Sequence, residues 1–137
     1  MKGQFTVIKS LSFEAAHYLE CYDGPCIETH GHTFQVEVQL FGYELDEIGM
    51  LVDFRVIKQL IKDRYDHTLL NALDVFNTAK GGINPTAENL AKDICEVLTD
   101  YFADIEGFGF NEWPSIEIDF VKVWESPDSC ATFFPDS

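Results

Sequence analysis

Apolar and polar residues alternate near the start of the chain. Phe5, Val7, Leu11, Phe13 and Ala15 share one parity, and Thr6, Ser10, Ser12 and Glu14 the other. A period of two predicts a β-strand over residues 4–17 with one buried face, because successive side chains of an extended chain point to opposite sides. His17 has the buried parity and stands at the strand's end. Residues 18–29, with Gly24-Pro25, read as a polar loop. Alternation resumes from His32 to Gly42, with Phe34, Val36, Val38 and Leu40 opposite Thr33, Gln35, Glu37 and Gln39. Tyr43 to Asp46 and Gly49 read as a turn, and Met50-Leu51-Val52 as a short third strand.

The period then lengthens. Asp53 is an N-cap for a helix to about Arg64, with Val56, Ile57, Leu60 and Ile61 on one face. Residues 72–85 read as a loop through Gly81-Gly82, after which Asn84 or Thr86 caps a second helix to about Phe102. Leu90, Ala91, Ile94, Val97, Leu98 and Tyr101 form its buried stripe. A connection over 103–114 carries Phe108, Phe110 and Trp113. A strand over 115–124 sets Ile116, Ile118 and Phe120 opposite Glu117 and Asp119, and 130–134 reads as a last short strand. The order β-β-β-α-α-β-β predicts an α+β fold, with two helices on one face of a four-stranded antiparallel sheet.

The 137 residues suit one domain over 1–137, and a hydrophobic content of 46% suits a globule with an ordinary core. The start, Met1-Lys2-Gly3-Gln4, lacks an apolar leader, and no apolar run is long enough for a membrane span. Cys21, Cys26, Cys95 and Cys130 form no paired motif, so reduced cysteines in a cytoplasmic protein are expected. A net charge of −15 argues against a nucleic-acid partner, which needs clustered Lys and Arg. It also repels small anions at a distance.

Candidate chemistry concentrates in Cys26-Ile27-Glu28-Thr29-His30-Gly31-His32 and the preceding His17, which together hold three of the four histidines. His30 and His32 are two apart and share a face. Antiparallel pairing of the first two strands brings His17 beside them on the same face. Three converging imidazoles leave a fourth tetrahedral position open, the pattern of a catalytic rather than a structural zinc site. Cys26 lies near enough for a cation to favour its thiolate. The first helix carries Arg55, Lys58, Lys62 and Arg64, which read either as a solvated face or as a cationic patch for a phosphorylated ligand. Asp66-His67 sets a carboxylate beside the fourth histidine, an arrangement that raises imidazole basicity.

Phe13-Glu14-Ala15-Ala16-His17, Cys26-x-x-x-His30-Gly31-His32, Asp66-His67 with Leu70-Asn71, Asn84-Pro85-Thr86-Ala87-Glu88-Asn89-Leu90 and Trp124-Glu125-Ser126 together resemble the 6-pyruvoyltetrahydropterin synthase family. The resemblance covers nearly the whole chain in order. The three residues between Cys26 and His30 look like the bacterial 6-carboxytetrahydropterin synthases.

This resemblance implies a tunnelling fold, with trimers stacking into hexamers. It implies a substrate, 7,8-dihydroneopterin triphosphate, converted to 6-carboxytetrahydropterin, acetaldehyde and triphosphate on the route to queuosine. It implies zinc on His17, His30 and His32, with Cys26 as general acid/base. It further implies Asp66 and His67 as proton-transfer partners from a neighbouring subunit, Glu125 as pterin anchor, and Thr86 and Glu88 as further pterin contacts. Glu28 matches a glutamate that some relatives use for aldolase-like cleavage to a 6-hydroxymethyl pterin. That reaction, a pyruvoyl synthase and a non-catalytic pterin-binding module are the alternatives.

Overall fold

The two alternating stretches pair with each other into one long antiparallel hairpin, β1 (Phe5–Cys21) and β2 (Gly24–Gly42). The computed structural model describes residues 1, 3–21, 24–107 and 116–136, with the backbone alone for 24–27 and 104–107. Helix α1 (Phe54–Tyr65) follows, then the two-residue strand β3 (Thr68–Leu69), helix α2 (Ala87–Gly107), and strands β4 (Glu117–Ser126) and β5 (Ser129–Phe133). The sheet order is β3-β1-β2-β4-β5.

Alternation sets the core. Leu11, Phe13 and Ala15 of β1 lie on the same side as Phe34, Val36, Val38 and Leu40 of β2, and Phe13 pairs with Phe34 in the register. Val121 and Val123 extend this apolar face onto β4. Both helices pack on it, with Ile57, Ile61 and Tyr65 of α1 and Leu90, Ile94 and Leu98 of α2 in the same core. Each fully buried side chain of this size contributes roughly 2–3 kcal/mol. The opposite face is polar: the Thr33 hydroxyl donates to the Glu14 carboxylate (2.7 Å), and Gln39 Nε2 donates to Asp119 (2.6 Å).

The helix starts follow from capping. Asp53 accepts the Arg55 amide (2.9 Å), and Thr86 Oγ1 accepts the Asn89 amide (3.1 Å). Arg64 and Tyr65 at the end of α1 tie it to α2 through buried Asp93. Arg64 Nε lies 2.9 Å and the Tyr65 hydroxyl 2.5 Å from its carboxylate. Burial, and then Asp93, hold the Tyr65 hydroxyl proton well above its usual range.

Four expectations need correction. The sheet has five strands, because Thr68–Leu69 adds a short parallel strand beside Ala15–Ala16. Met50–Val52 is not a strand. Asp46 accepts the amides of Ile48 and Met50, and its own amide donates to the Met50 carbonyl, so the backbone there is committed to a local turn. Residues 18–21 and 24–29 are not loop but a continuation of the hairpin. Register shifts after His17 and Leu19 break the alternation that would have marked it. Helix α2 runs on through 103–107, with no breaker before Gly107; the rest of the expected 103–114 connection, from residue 108, lies outside the described residues.

Residues 70–80 form three short 3-10 turns, Leu70–Ala72, Asp74–Phe76 and Thr78–Lys80. Gly82 closes them: a Cβ there would lie 2.6 Å from the carbonyl oxygens of Asp74 and Val75. Cys95 is buried and free, with its thiol pushed up by burial, and Cys130 is exposed and free. Cys21, where the hairpin strands close on each other, is disulfide-bonded, which corrects the expectation of a reduced thiol there. Among the described residues no helix is long and apolar enough to cross a membrane.

Candidate metal and active site

Strand pairing assembles the histidine cluster. His17 pairs with His30 across the hairpin, Ala15 pairs with His32, and all three imidazoles stand on the core-facing side at the open end of the sheet. Their ring centroids lie 4.3–5.2 Å apart, and His17 and His32 meet the Phe34 ring edge-on. His17 is buried, and the other two are half-buried.

The hydrogen bonds decide which nitrogens are available. His17 Nδ1 lies 2.7 Å from the Pro85 carbonyl oxygen, and His30 Nδ1 lies 2.7 Å from that of Glu28. A carbonyl only accepts, so each Nδ1 carries the proton and each Nε2 keeps its lone pair. One donor nitrogen from each histidine lies within 4.8 Å of the others. Small side-chain rotations bring three such nitrogens onto one ion, whose bonds to imidazole run about 2.0–2.1 Å. The donor set therefore fits a zinc-type cation with an open position.

Burial, and then the neighbouring His30 and His17, hold His32 below its ordinary pKa, while Glu125 works in the other direction. The Glu125 carboxylate is thus within electrostatic reach of the cluster. Trp124 pairs with Gln35, and Val121 and Val123 face the core, so Glu125 continues the inner face of β4 at the end of the sheet that carries His32.

The other expected residues divide. Thr86 caps α2 directly after Pro85, whose carbonyl holds His17, while Glu88 is exposed in the first turn of α2. Glu28 is exposed, and its carbonyl orients His30. The Cys26 side chain lies outside the described residues.

Asp66 and His67 do not join the imidazoles within one chain. Asp66 accepts the Glu14 amide at 2.9 Å, and His67 donates its own amide to the Glu14 carbonyl at 2.6 Å. The Glu14 amide, and more weakly His67 and Lys62, hold Asp66 below the usual carboxylate range. His67 takes a left-handed φ of 57°, is 79% exposed, and lines a groove with Glu14, Ala15, Ala16, Gly31, His32, Thr33 and Thr68. Glu14, Ala16, Gly31 and Thr33 have the parity of the polar face, whereas Ala15 and His32 have that of the cluster. The cationic side of α1 is largely matched by acids: Arg55 meets Asp53 at 2.9 Å, Lys62 meets Asp66 at 3.8 Å and Arg64 meets Asp93 at 2.9 Å.

Asn71 and Asn84 acquire a place that the sequence reading had not given them. Each uses both ends of its amide on one residue of β1, Tyr18 and Glu20 respectively. The partners are backbone atoms far away in sequence, so composition and spacing carried no signal for the pairing.

A family model described as 6-pyruvoyl tetrahydropterin synthase matches residues 6–136. The chain is 35% identical over 132 residues to a Bacillus subtilis 6-carboxy-5,6,7,8-tetrahydropterin synthase, covering 96% of this chain and 86% of that one. It is 34% identical over 136 residues to the Synechocystis protein of the same name, covering 93% and 92%. Among solved structures, the Caenorhabditis elegans 6-pyruvoyl tetrahydropterin synthase superposes with a TM-score of 0.69 at 21% identity, over 98% of this chain and 97% of that one. The Plasmodium vivax protein of that name gives 0.65 at 16% identity, over 98% and 99%. Sequence across nearly the whole length and the fold thus agree, and the chain belongs to the 6-pyruvoyl tetrahydropterin synthase family.

Proposed function

We propose that the protein is a zinc-dependent lyase that converts 7,8-dihydroneopterin triphosphate and water to 6-carboxy-5,6,7,8-tetrahydropterin, acetaldehyde and triphosphate, the pterin step toward queuosine. The supporting observation is a three-imidazole site in which His17 and His30 keep Nε2 available, in a chain whose relatives above 30% identity carry the 6-carboxy name.

In this reading His17, His30 and His32 hold Zn2+. Bound there, the ion supplies Lewis acidity that lowers the cost of removing a proton next to a side-chain oxygen of the pterin. Glu125 anchors the pterin, since one carboxylate accepts two hydrogen bonds from a 2-amino-pyrimidinone edge. Thr86 and Glu88 add contacts from the start of α2. Cys26 moves the proton as a reduced thiol, a role that requires any bond to it from the disulfide-bonded Cys21 to be open. An unperturbed thiol has a pKa of about 8.5, so it needs the cationic surroundings of such a site to work near neutrality. Asp66 and His67 complete proton transfer in a neighbouring copy's site, which requires a homo-oligomer, a trimer or a hexamer of stacked trimers.

Glu28 supports a second reading. It is an exposed carboxylate two residues from His30, and a base there favours aldolase-like release of a 6-hydroxymethyl pterin. Incubation with dihydroneopterin triphosphate and mass analysis of the product separates the readings. The 6-carboxy product is expected from the parental protein. Cys26→Ala is expected to keep the metal and lose product by at least about 100-fold. A 6-hydroxymethyl or pyruvoyl product would overturn the assignment, and parental turnover by Cys26→Ala would remove Cys26 from the mechanism.

A further inference from the structure

Beyond the two residues paired with β3, the edge of β1 beside the metal site is closed largely by side chains. Along this edge, alternate residues present both their amide and their carbonyl outward. At Glu14 the amide is taken by the Asp66 carboxylate and the carbonyl by the His67 amide. Beside Ala15 and Ala16 runs the short strand β3. At Tyr18 the Asn71 side chain takes both groups: Oδ1 accepts the amide and Nδ2 donates to the carbonyl, each at 3.0 Å. At Glu20 the Asn84 side chain does the same, at 2.9 and 2.7 Å. A primary amide presents an N–H donor and a carbonyl acceptor side by side, so it can meet both groups of one peptide-edge residue. Asn71 and Asn84 therefore continue β3 as two isolated rungs.

On the other edge of this stretch, the β1–β2 register shifts after His17 and again after Leu19. Register is weakly specified where a ladder is broken. The same stretch carries His17, whose Nδ1 donates to the Pro85 carbonyl immediately after Asn84. One short segment, Asn84-Pro85, thus fixes both the strand at Glu20 and the imidazole at His17. Asn71 is buried and Asn84 half-buried.

We propose that Asn71 and Asn84 are positioning residues for the metal site, holding the irregular end of β1 so that His17 Nε2 meets the donor nitrogens of His30 and His32. The inference rests on the metal reading above. Neither asparagine touches the ion; each acts through the strand or, for Asn84, also through Pro85.

Co2+ and Zn2+ binding to the full chain tests it, read by cobalt d–d absorption and by competition with a chromophoric chelator. The parental chain binds one ion, and His17→Ala abolishes binding. Asn84→Asp keeps the acceptor for the Glu20 amide, loses the donor to its carbonyl, and weakens affinity about 10- to 100-fold, as loss of support behind a ligand does. The cobalt spectrum of this variant broadens, and its metal-free melting curve stays cooperative. Thr78→Val is the control, because Thr78 touches the Glu20 carboxylate and not its backbone; it leaves affinity unchanged. Should Asn84→Asp fail to fold, Asn84→Ser, which can fill only one of the two bonds, carries the test and loses affinity in the same sense.

A parental chain that binds no ion overturns the metal reading and this inference with it. A parental chain that binds, with Asn84→Asp binding within about two-fold of it, or with Thr78→Val equally weakened, overturns this inference alone.

Discussion

His32 and Asp66 are both held below their ordinary pKa, for different reasons and with different consequences. Burial comes first for His32, then the neighbouring imidazoles; for Asp66 it is the Glu14 amide. Where a group's folded pKa is depressed, the unfolded chain binds more protons between the two values, so stability falls with acidification across that window. For His32 the window opens below about pH 6.5, and for Asp66 only below about pH 4. The metal-free protein is therefore expected to lose stability already between pH 7 and pH 5, and urea titrations in chelator at those two values measure it. Metal occupancy is expected to fall over the same range, since only neutral imidazole binds. Flat stability down to pH 5 would contradict the burial of His32. At this scale His17, His30 and His32 were legible because strand parity is a local property. Asn71, Asn84 and Asp93 were not, because a lone amide or carboxylate does not announce which distant group it meets.

Among the elements, the hairpin and both helices were readable from periodicity and caps, while the irregular pieces were not. The alternation stopped at His17 although the strand did not, because the register shifts move side chains out of phase. The apolar run Met50-Leu51-Val52 suggested a strand, but Asp46 had already claimed its backbone. The 70–83 segment is ordered by close backbone packing, which no side-chain pattern encodes. Gly82 tests that packing. Gly82→Ala forces a methyl against two carbonyl oxygens, and a loss of about 1–3 kcal/mol is expected in chemical denaturation. Loss of well under 1 kcal/mol would mean that the turns yield easily.

For the whole molecule, the decisive feature is that the two halves of the proposed machinery are held in different places. The imidazoles stand on the core-facing side of the sheet, whereas Asp66 and His67 are tied to the Glu14 backbone at the edge of β1. The proposed site draws them from two copies. Mixing His17→Ala and His67→Ala chains, each inactive alone, is then expected to restore activity at about a quarter of the sites when subunits assort randomly. No recovery after confirmed subunit exchange would place all the chemistry in one chain. The net charge of −15 and the acids that meet Arg55, Lys62 and Arg64 favour the solvated-face reading of α1 over a cationic patch.

The two asparagine rungs on β1 also bear on how the molecule breathes. An amide at a sheet edge with no strand beside it ordinarily trades its hydrogen with water quickly, because nothing has to open first. Tyr18 and Glu20 lie on such an edge, yet each amide is engaged by an asparagine from across the chain. Their exchange in deuterated water should be as slow as that of the paired amides inside the hairpin. The last strand residues before the hairpin tip would then open with the whole domain rather than fray from it.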